Sequence, residues 1–311
     1  MATATIRVKK YSGPDSALVK DQLKALQQMH AAWGIEQFMM ALFWILTKTK
    51  VTFKSGKVSS LVPFRFNWIQ HDMESKLAQR NLLVKARQIG GTTYYLLRRL
   101  FVPAILDYGI GSLLISQNNE YVQKHFVIAR RAYRYIGAVD PYDTRENAFS
   151  ISLKNNLLHT EASNRRELIF DQLDSRVIVA SAEVEESGQG ITLHHILADE
   201  YSRWPGSPAD TLSNVEGALV PDGTLDKNCT ANGAGGPFFE DVMRCINTPQ
   251  DADAKLHFYS WYWTDEYRVK LSPKEAEELK KDLTSEERTL IARFHKELKP
   301  VAWVKNKRTM V

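Results

Sequence analysis

The residues best equipped for chemistry in this chain fall in two short stretches. In "LLVKARQIGGTTYY", Leu82 to Tyr95, a β-like run enters a glycine turn followed by two threonines and a helical pattern. A phosphate-binding loop has that order: glycine lets the backbone approach phosphate oxygens, successive amides point at them, and a hydroxyl reaches Mg²⁺. The standard spacing, G-x-x-x-x-G-K-[ST], is met at Gly90 and Thr92, whereas Gly91 stands in the lysine position and Lys85 in the first-glycine position. Taken alone the motif fails, and a plain turn between strand and helix explains "GGTT" as well. Chemistry speaks for it nonetheless. Lys85 and Arg87 open the loop, so a cation could reach the same oxygens from the other side. In the second stretch, "ITLHHILADEYSRW", an apolar strand ends in Asp199 and Glu200. One carboxylate is placed to hold Mg²⁺, through water or Thr92, and the next to polarise an attacking water. The alternative is a strand ending in a solvated acidic turn.

The pairing carries more than either part. A strand, a glycine and threonine turn and a helix, followed about 110 residues later by a buried strand ending in Asp-Glu, is the arrangement of P-loop NTPases with an extra catalytic glutamate. A third stretch, "NCTANGAGGPFFEDV", runs a strand into Thr230 and Asn232 before a glycine-rich turn and a helix. Its polar side chains emerge at the sheet edge where open α/β sheets bind ligands, so Asn232 could sense a terminal phosphate. An Asn-Gly turn is the plainer reading.

The elements that must position these residues alternate strand and helix from Leu82 on: "LLVKARQ", then "TTYYLLRRLF", "GSLLISQ" and "EYVQKHFVIARRAYRYI". That rhythm predicts a parallel sheet with crossover helices. Further strands are expected at "RELIF", "RVIVASA", "ITLHHILAD", "TLDKNCTA" and "KLHFYSWYW". "LHHILAD", apolar but for its histidines, should be central. Ahead of these, "SALVKDQLKALQQMHAAWGIEQFMMALFWILTK" has helical spacing and "VTFKSGKVS" alternates like a hairpin around Ser55-Gly56. Residues 1–60 therefore read as an accessory region, 61–268 as the main domain and 269–311 as a helical linker. In that linker Ser272 with Glu275, and Thr284 with Glu287, form two capping boxes.

Composition sets looser bounds. The 311 residues, 44% of them hydrophobic, suffice for a substantial core, and a net charge of +5 suits a polyanion partner only weakly. Cys229 and Cys245 lack CxxC spacing and imply no disulfide framework. The longest apolar run, "FMMALFWIL", is far short of a bilayer span, so no membrane segment and no export signal are expected.

With these motifs in hand, the chain resembles the large terminase subunit of tailed bacteriophages, over roughly residues 40–265. "KARQIGGTT" looks like that family's deviant Walker A segment, with Arg87 or Lys85 replacing the usual lysine. "ILADE" looks like its Walker B strand, "CTANG" is similar to its coupling motif, and "VPFRFNWIQHDMESKL" resembles its adenine-recognising segment, with Gln70 as the matching residue. The resemblance implies an α/β P-loop NTPase of the ASCE type, with a central mostly parallel sheet flanked by helices. It implies ATP and Mg²⁺ as ligands, double-stranded DNA, a portal protein and a small terminase subunit as partners, a homo-oligomeric ring, and the cytoplasm of an infected bacterial host. Glu200 would be the catalytic base and Asp199 with Thr92 would manage Mg²⁺. Lys85, Arg87, Gln88, Ile89, Gly90, Gly91, Thr92 and Thr93 would surround the nucleotide, with Arg87 stabilising charge on the γ-phosphoryl group. Thr230 and Asn232 would couple hydrolysis to movement, and Arg130, Arg131 or Arg134 could act on a neighbouring subunit.

Two departures qualify this. Gly91 leaves the lysine position empty. The family's C-terminal nuclease, with its clustered aspartates, is absent, so nuclease activity is not expected from this chain, which reads as an ATPase domain plus the start of the interdomain segment. Three function classes follow: a DNA-translocating ATPase; a helicase-like ATPase, against which Tyr201-Ser202 depart from the DEAD or DEAH pattern; and a catalytically weakened or inactive DNA-binding or assembly module derived from such an ATPase. His194 and His195, adjacent on a strand, point to opposite faces and cannot share a metal. Trp261 and Trp263 share a face and read as packing. Asp251, Asp253, Asp265 and Glu266 form no catalytic pair. Gly188-Gln189-Gly190 is either a flexible turn or a loop approaching the nucleotide.

Overall fold

The computed structural model describes residues 16–53, 56–142, 147–160, 166–184, 190–261 and 271–293. Helix α1, Ser16–Leu42, buries Val19, Leu23 and Leu26 in its first half and Phe38, Met39 and Leu42 in its second. Gly34, at φ 73°, breaks it between the two, a backbone conformation only glycine adopts without strain. The helical spacing read as far as Lys48 stops at Leu42. Trp44–Thr52 is instead strand β1, antiparallel to β2, Val58–Pro63, with Trp44 opposite Pro63 and Ile45 opposite Val62. The Trp44 indole donates to the carbonyl of Ala138 at 2.9 Å. Tertiary pairing thus outweighs local periodicity, and the expected hairpin forms, with Ser55 of its turn outside the described residues.

Helix α2, Trp68–Ser75, leads to strand β3, Arg80–Lys85. Helix α3, Gly91–Tyr95, continues through a π-helical stretch, Leu96–Phe101, into α4, Val102–Leu106. Pro103 explains the widening: its ring cannot donate and would crowd the carbonyl four residues back in a regular helix. There follow β4, Gly111–Ser116; α5, Asn119–Arg134; α6, Ala148–Asn155; β5, Glu167–Phe170; β6, Ser175–Ser181; and β7, Leu193–Asp199. After them come α7, Pro208–Glu216; β8, Leu219–Thr230; α8, Pro237–Asn247; β9, Lys255–Tyr259; and helices α9, Pro273–Lys281, and α10, Ser285–Arg293. The capping box at Ser272 and Glu275 is present, and Thr284 exchanges the same pair of bonds with Glu287.

The seven-stranded sheet has the order β5-β6-β4-β7-β8-β3-β9. Every pairing in it is parallel except β5 with β6. This is an α/β fold with a mostly parallel central sheet flanked by helices, with β8 between the loop strand β3 and the carboxylate strand β7, and β7 lies inside the sheet as expected. One face packs on α1, α3, α5 and the π-helical stretch through Leu26, Phe38, Tyr94, Leu100, Phe126 and Leu197. The other packs Ile196, Leu212, Val215 and Phe238 beneath α7 and α8. Because the strands run parallel, β3, β4, β7, β8 and β9 end on one edge, where Lys85, Asp199 and Thr230 are gathered. Among the described residues, no helix is long and apolar enough to cross a membrane.

Candidate active site

The loop between β3 and α3 is held from outside by α2. Asn67 caps α2: its side chain accepts from the Gln70 amide at 3.0 Å, and Gln70 Oε1 accepts from the Asn67 amide at 2.9 Å. The remaining amide groups reach across to the loop, Asn67 Nδ2 to the carbonyl of Ile89 at 3.0 Å and Gln70 Nε2 to that of Gly90 at 3.1 Å. Gln70 is buried, and its side chain fixes the loop carbonyls. The buried Ile89 side chain anchors the loop in the core. Gly90 is left-handed at φ 82°, and a Cβ there would meet Gln70 Nε2 at 2.8 Å. Gln88 is also left-handed, at φ 64°, the kind of backbone strain that clusters at ligand sites. Its side chain accepts from Lys48. The first amides of α3 have no intrahelical acceptor, which makes that end of the loop a place for an anion.

The position where a lysine was expected is occupied by space that Lys85 uses. A Cβ on Gly91 would meet Leu83 Cδ2 at 2.9 Å and Lys85 Cδ at 3.3 Å. Glycine there lets the Lys85 stem pass beneath the loop, and its ammonium reaches Glu200 Oε1 at 2.9 Å. Burial opposes the charge on Lys85, but the Asp199 and Glu200 carboxylates outweigh it and hold its pKa above the ordinary value. Glu200 answers in kind. Burial would raise its pKa, while the Lys85 charge and hydrogen bond, with help from the Thr230 backbone and the Cys229 thiol, bring it below the usual carboxylate range. Cys229 itself is pushed up to about 11 by burial and stays a thiol.

Asp199, 1% exposed, receives the Thr92 hydroxyl on Oδ1 at 2.7 Å. Its backbone carbonyl accepts from the Trp204 indole at 2.9 Å. The two acidic side chains part at a left-handed residue, Glu200, φ 49° and ψ 41°. That turn sends Asp199 toward α3 and Glu200 toward Lys85 and Arg203, whose Nε lies 3.5 Å from Glu200 Oε2. One hydroxyl and one carboxylate at 2.7 Å suit Mg²⁺, which is commonly held by one or two protein ligands plus substrate phosphates and water. Among the described residues no cluster of three or more His, Cys, Asp or Glu side chains could hold a metal alone.

The other expected residues are distributed around this centre. Thr230 stands beside Lys85 in the β3–β8 register, and Asn232, exposed, donates to the carbonyl of Ser202 at 3.4 Å, within the turn that follows Glu200. Thr93 is half-buried in the first turn of α3, while Arg87 is exposed in the loop. Arg130, Arg131 and Arg134 are not at the sheet edge that carries Lys85, Asp199 and Thr230. They lie toward the far end of α5 and, with Lys154, Tyr133 and Tyr135, line a cleft of about 570 Å³. His194 accepts from the Gly111 amide and His195 pairs with Thr224, so the two histidines have separate packing partners. Gly188, Gln189, Trp263, Asp265 and Glu266 lie outside the described residues.

Two participants were missed in the sequence. Asn67 carries the cap that ties α2 to the loop. His125, on α5, places Nε2 3.1 Å from Asp199 Oδ2. The signal for His125 was its place in the buried stripe Val122, His125, Phe126, Ala129, Ala132, where a polar ring needs a partner.

No family model and no curated protein matches the chain. Among solved structures, it is similar to phage large terminases. The ATPase domain of the Thermus phage P74-26 large terminase matches at 16% identity and a TM-score of 0.44, covering 63% of this chain and 80% of that one. The large terminase of bacteriophage HK97 matches at 16% identity and a TM-score of 0.49, over 69% of this chain and 43% of that one. The helicase domain of Pyrococcus furiosus Hef is similar at 16% identity and a TM-score of 0.37, covering 71% and 46% of the two chains.

Proposed function

We propose that this chain is the ATP-hydrolysing motor domain of a viral terminase large subunit, driving double-stranded DNA into a procapsid. One observation carries the reading: Thr92 and Asp199 meet at 2.7 Å while Lys85 and Glu200 pair at 2.9 Å beside them, all on the ligand-binding edge of the sheet. The exchange of Gly91 for Lys85 removes the main reason to read the loop as inactive. The cation is present and enters from the strand.

In the proposed cycle the loop amides and Lys85 hold the ATP phosphates. Thr92 and Asp199 would hold Mg²⁺, which when bound would supply neutralisation of the charge that develops at the phosphates. As Lys85 turns to the phosphate, Glu200 is released to orient a water and accept its proton. Losing the Lys85 charge and hydrogen bond raises the basicity of Glu200 for that task. Thr230 and Asn232, on the strand and turn next to Lys85 and Glu200, would transmit the change. Arg87, exposed in the loop, is assigned to the γ-phosphoryl charge. The cleft with Arg130, Arg131, Arg134 and Lys154, none of which has a carboxylate partner among the described residues, suits an anion. Duplex DNA backbone or a neighbouring subunit's nucleotide would fill that role in a homo-oligomeric ring. Residues 61–268 would form the ATPase unit, with a portal protein and a small terminase subunit as partners in the host cytoplasm.

The test is phosphate release from Mg-ATP by the purified chain, with and without duplex DNA, beside Glu200→Gln and Arg87→Ala. Loss of the base or the cation costs on the order of 10² or more in rate. A parent that neither turns over nor binds ATP would overturn the proposal.

A further inference from the structure

We propose that His125 is a positioning residue for the metal-binding carboxylate, setting how tightly Mg²⁺ is held beside the nucleotide. The inference rests on the ATPase reading above and goes beyond it in assigning α5 a part in the site. Asp199 has two carboxylate oxygens, and the structure gives each a partner. Oδ1 accepts from the Thr92 hydroxyl at 2.7 Å, and Oδ2 faces His125 Nε2 at 3.1 Å. With Asp199 1% and His125 8% exposed, bulk water cannot replace either contact.

The direction of the contact follows from the partners. A carboxylate only accepts, so His125 Nε2 carries a proton and donates it to Asp199 Oδ2. Nδ1, on the other side of the ring, is buried with no hydrogen-bond partner among the described residues. An unsatisfied buried polar atom costs about 1–3 kcal/mol, and a plain packing site would be filled more cheaply by an aliphatic residue of similar size. The ring's reach is also fixed in advance. Asn118 caps α5 by accepting from the Tyr121 amide at 3.1 Å, and His125 comes two turns after that cap, on the buried stripe. The imidazole thus holds one oxygen and turns the other toward Thr92, the orientation that Mg²⁺ needs. Groups that orient metal ligands in this way are worth about 10–100-fold in metal affinity.

The experiment is a Mg²⁺ titration of binding of a fluorescent ATP analogue, read by fluorescence rather than turnover, on the whole chain and on His125→Leu, His125→Asn and His125→Gln. A glutamine amide reaches the place of Nε2, whereas asparagine falls short of it and leucine cannot donate. The expected result is a rise in half-saturating Mg²⁺ of about tenfold or more for the leucine and asparagine variants. Nucleotide affinity in EDTA should stay at the parent's level, and the glutamine variant should titrate like the parent. Should the leucine variant fail to fold, the contrast between asparagine and glutamine decides. An unchanged Mg²⁺ dependence would overturn the inference, as would equal weakening with and without Mg²⁺, or a glutamine variant as poor as asparagine. If the parent itself binds no nucleotide, the ATPase reading fails, and this inference with it.

Discussion

At the residue scale, the cation of the loop is a matter of reach. Lys85 ends a strand and passes beneath Gly91 to the Glu200 carboxylate, whereas Arg87, two residues on, sits exposed in the turn. Lys85→Met should therefore abolish phosphate release and, by leaving Glu200 and Asp199 uncompensated in a buried site, lower unfolding free energy by about 3 kcal/mol. Urea unfolding reads the second effect, and a variant as stable as the parent would refute the buried-pair account. Gly91→Ala tests the passage itself. Its Cβ would crowd Leu83 and Lys85, so a loss of about 1–3 kcal/mol is expected, with weaker nucleotide binding. A neutral outcome in both assays would show that the stem does not need the space. Much of this was legible beforehand. Asp199, Glu200, Thr92 and Lys85 were read from residue type and spacing, yet choosing between Lys85 and Arg87 required knowing where the strand ends. His125 was hidden because a histidine inside an amphipathic helix looks like packing until its neighbour across 74 positions of chain is known.

At the element scale, the loop belongs as much to α2 as to β3 and α3. Asn67 caps α2 and holds the Ile89 carbonyl, and Gln70 completes the box while holding Gly90. Asn67→Ala should cost about 1 kcal/mol from the lost cap alone and loosen the loop besides. Thermal unfolding and nucleotide affinity should fall together; a drop in melting temperature with affinity intact would confine Asn67 to the cap. Here the sequence was legible in part. The alternation of strands and helices after Leu82 and both capping boxes near the end were readable because their signals are local. The strand at Trp44 was not, since its pairing with β2 and its indole bond to Ala138 are set by distant chain. Helices α2, α6 and α7 were also missed: each is short, and its apolar stripe is too brief to stand out.

At the scale of the whole molecule, buried neutral histidines make the fold sensitive to acid. Burial, aided by the Lys255 charge, lowers His257 to about 4, and His195 is lowered to about 4 by burial and the Arg99 charge. A folded pKa below the unfolded value of 6.5 means that the unfolded chain binds the proton first. The stabilisation is therefore present above pH 6.5 and lost as pH falls toward 4, by about 3 kcal/mol for a fully shifted histidine. Urea unfolding between pH 7 and pH 4 should show His257→Gln losing less stability than the parent; parallel curves would sink the idea. The sheet order also dictates when this protein can assemble. Strand β3 pairs only with β8 and β9, and both follow it late in the chain, Arg80 waiting for Leu225 and Asn81 for Lys255. Such distant pairing pays its loop-closure entropy before any contact returns it, which makes folding slow. During synthesis the loop strand leaves the ribosome with neither neighbour made, an apolar strand with two open edges. A nascent chain that ends before β8 has the residues of the loop after β3 but no frame to shape them, so the proposed nucleotide could begin to act as a folding ligand only in the last part of translation.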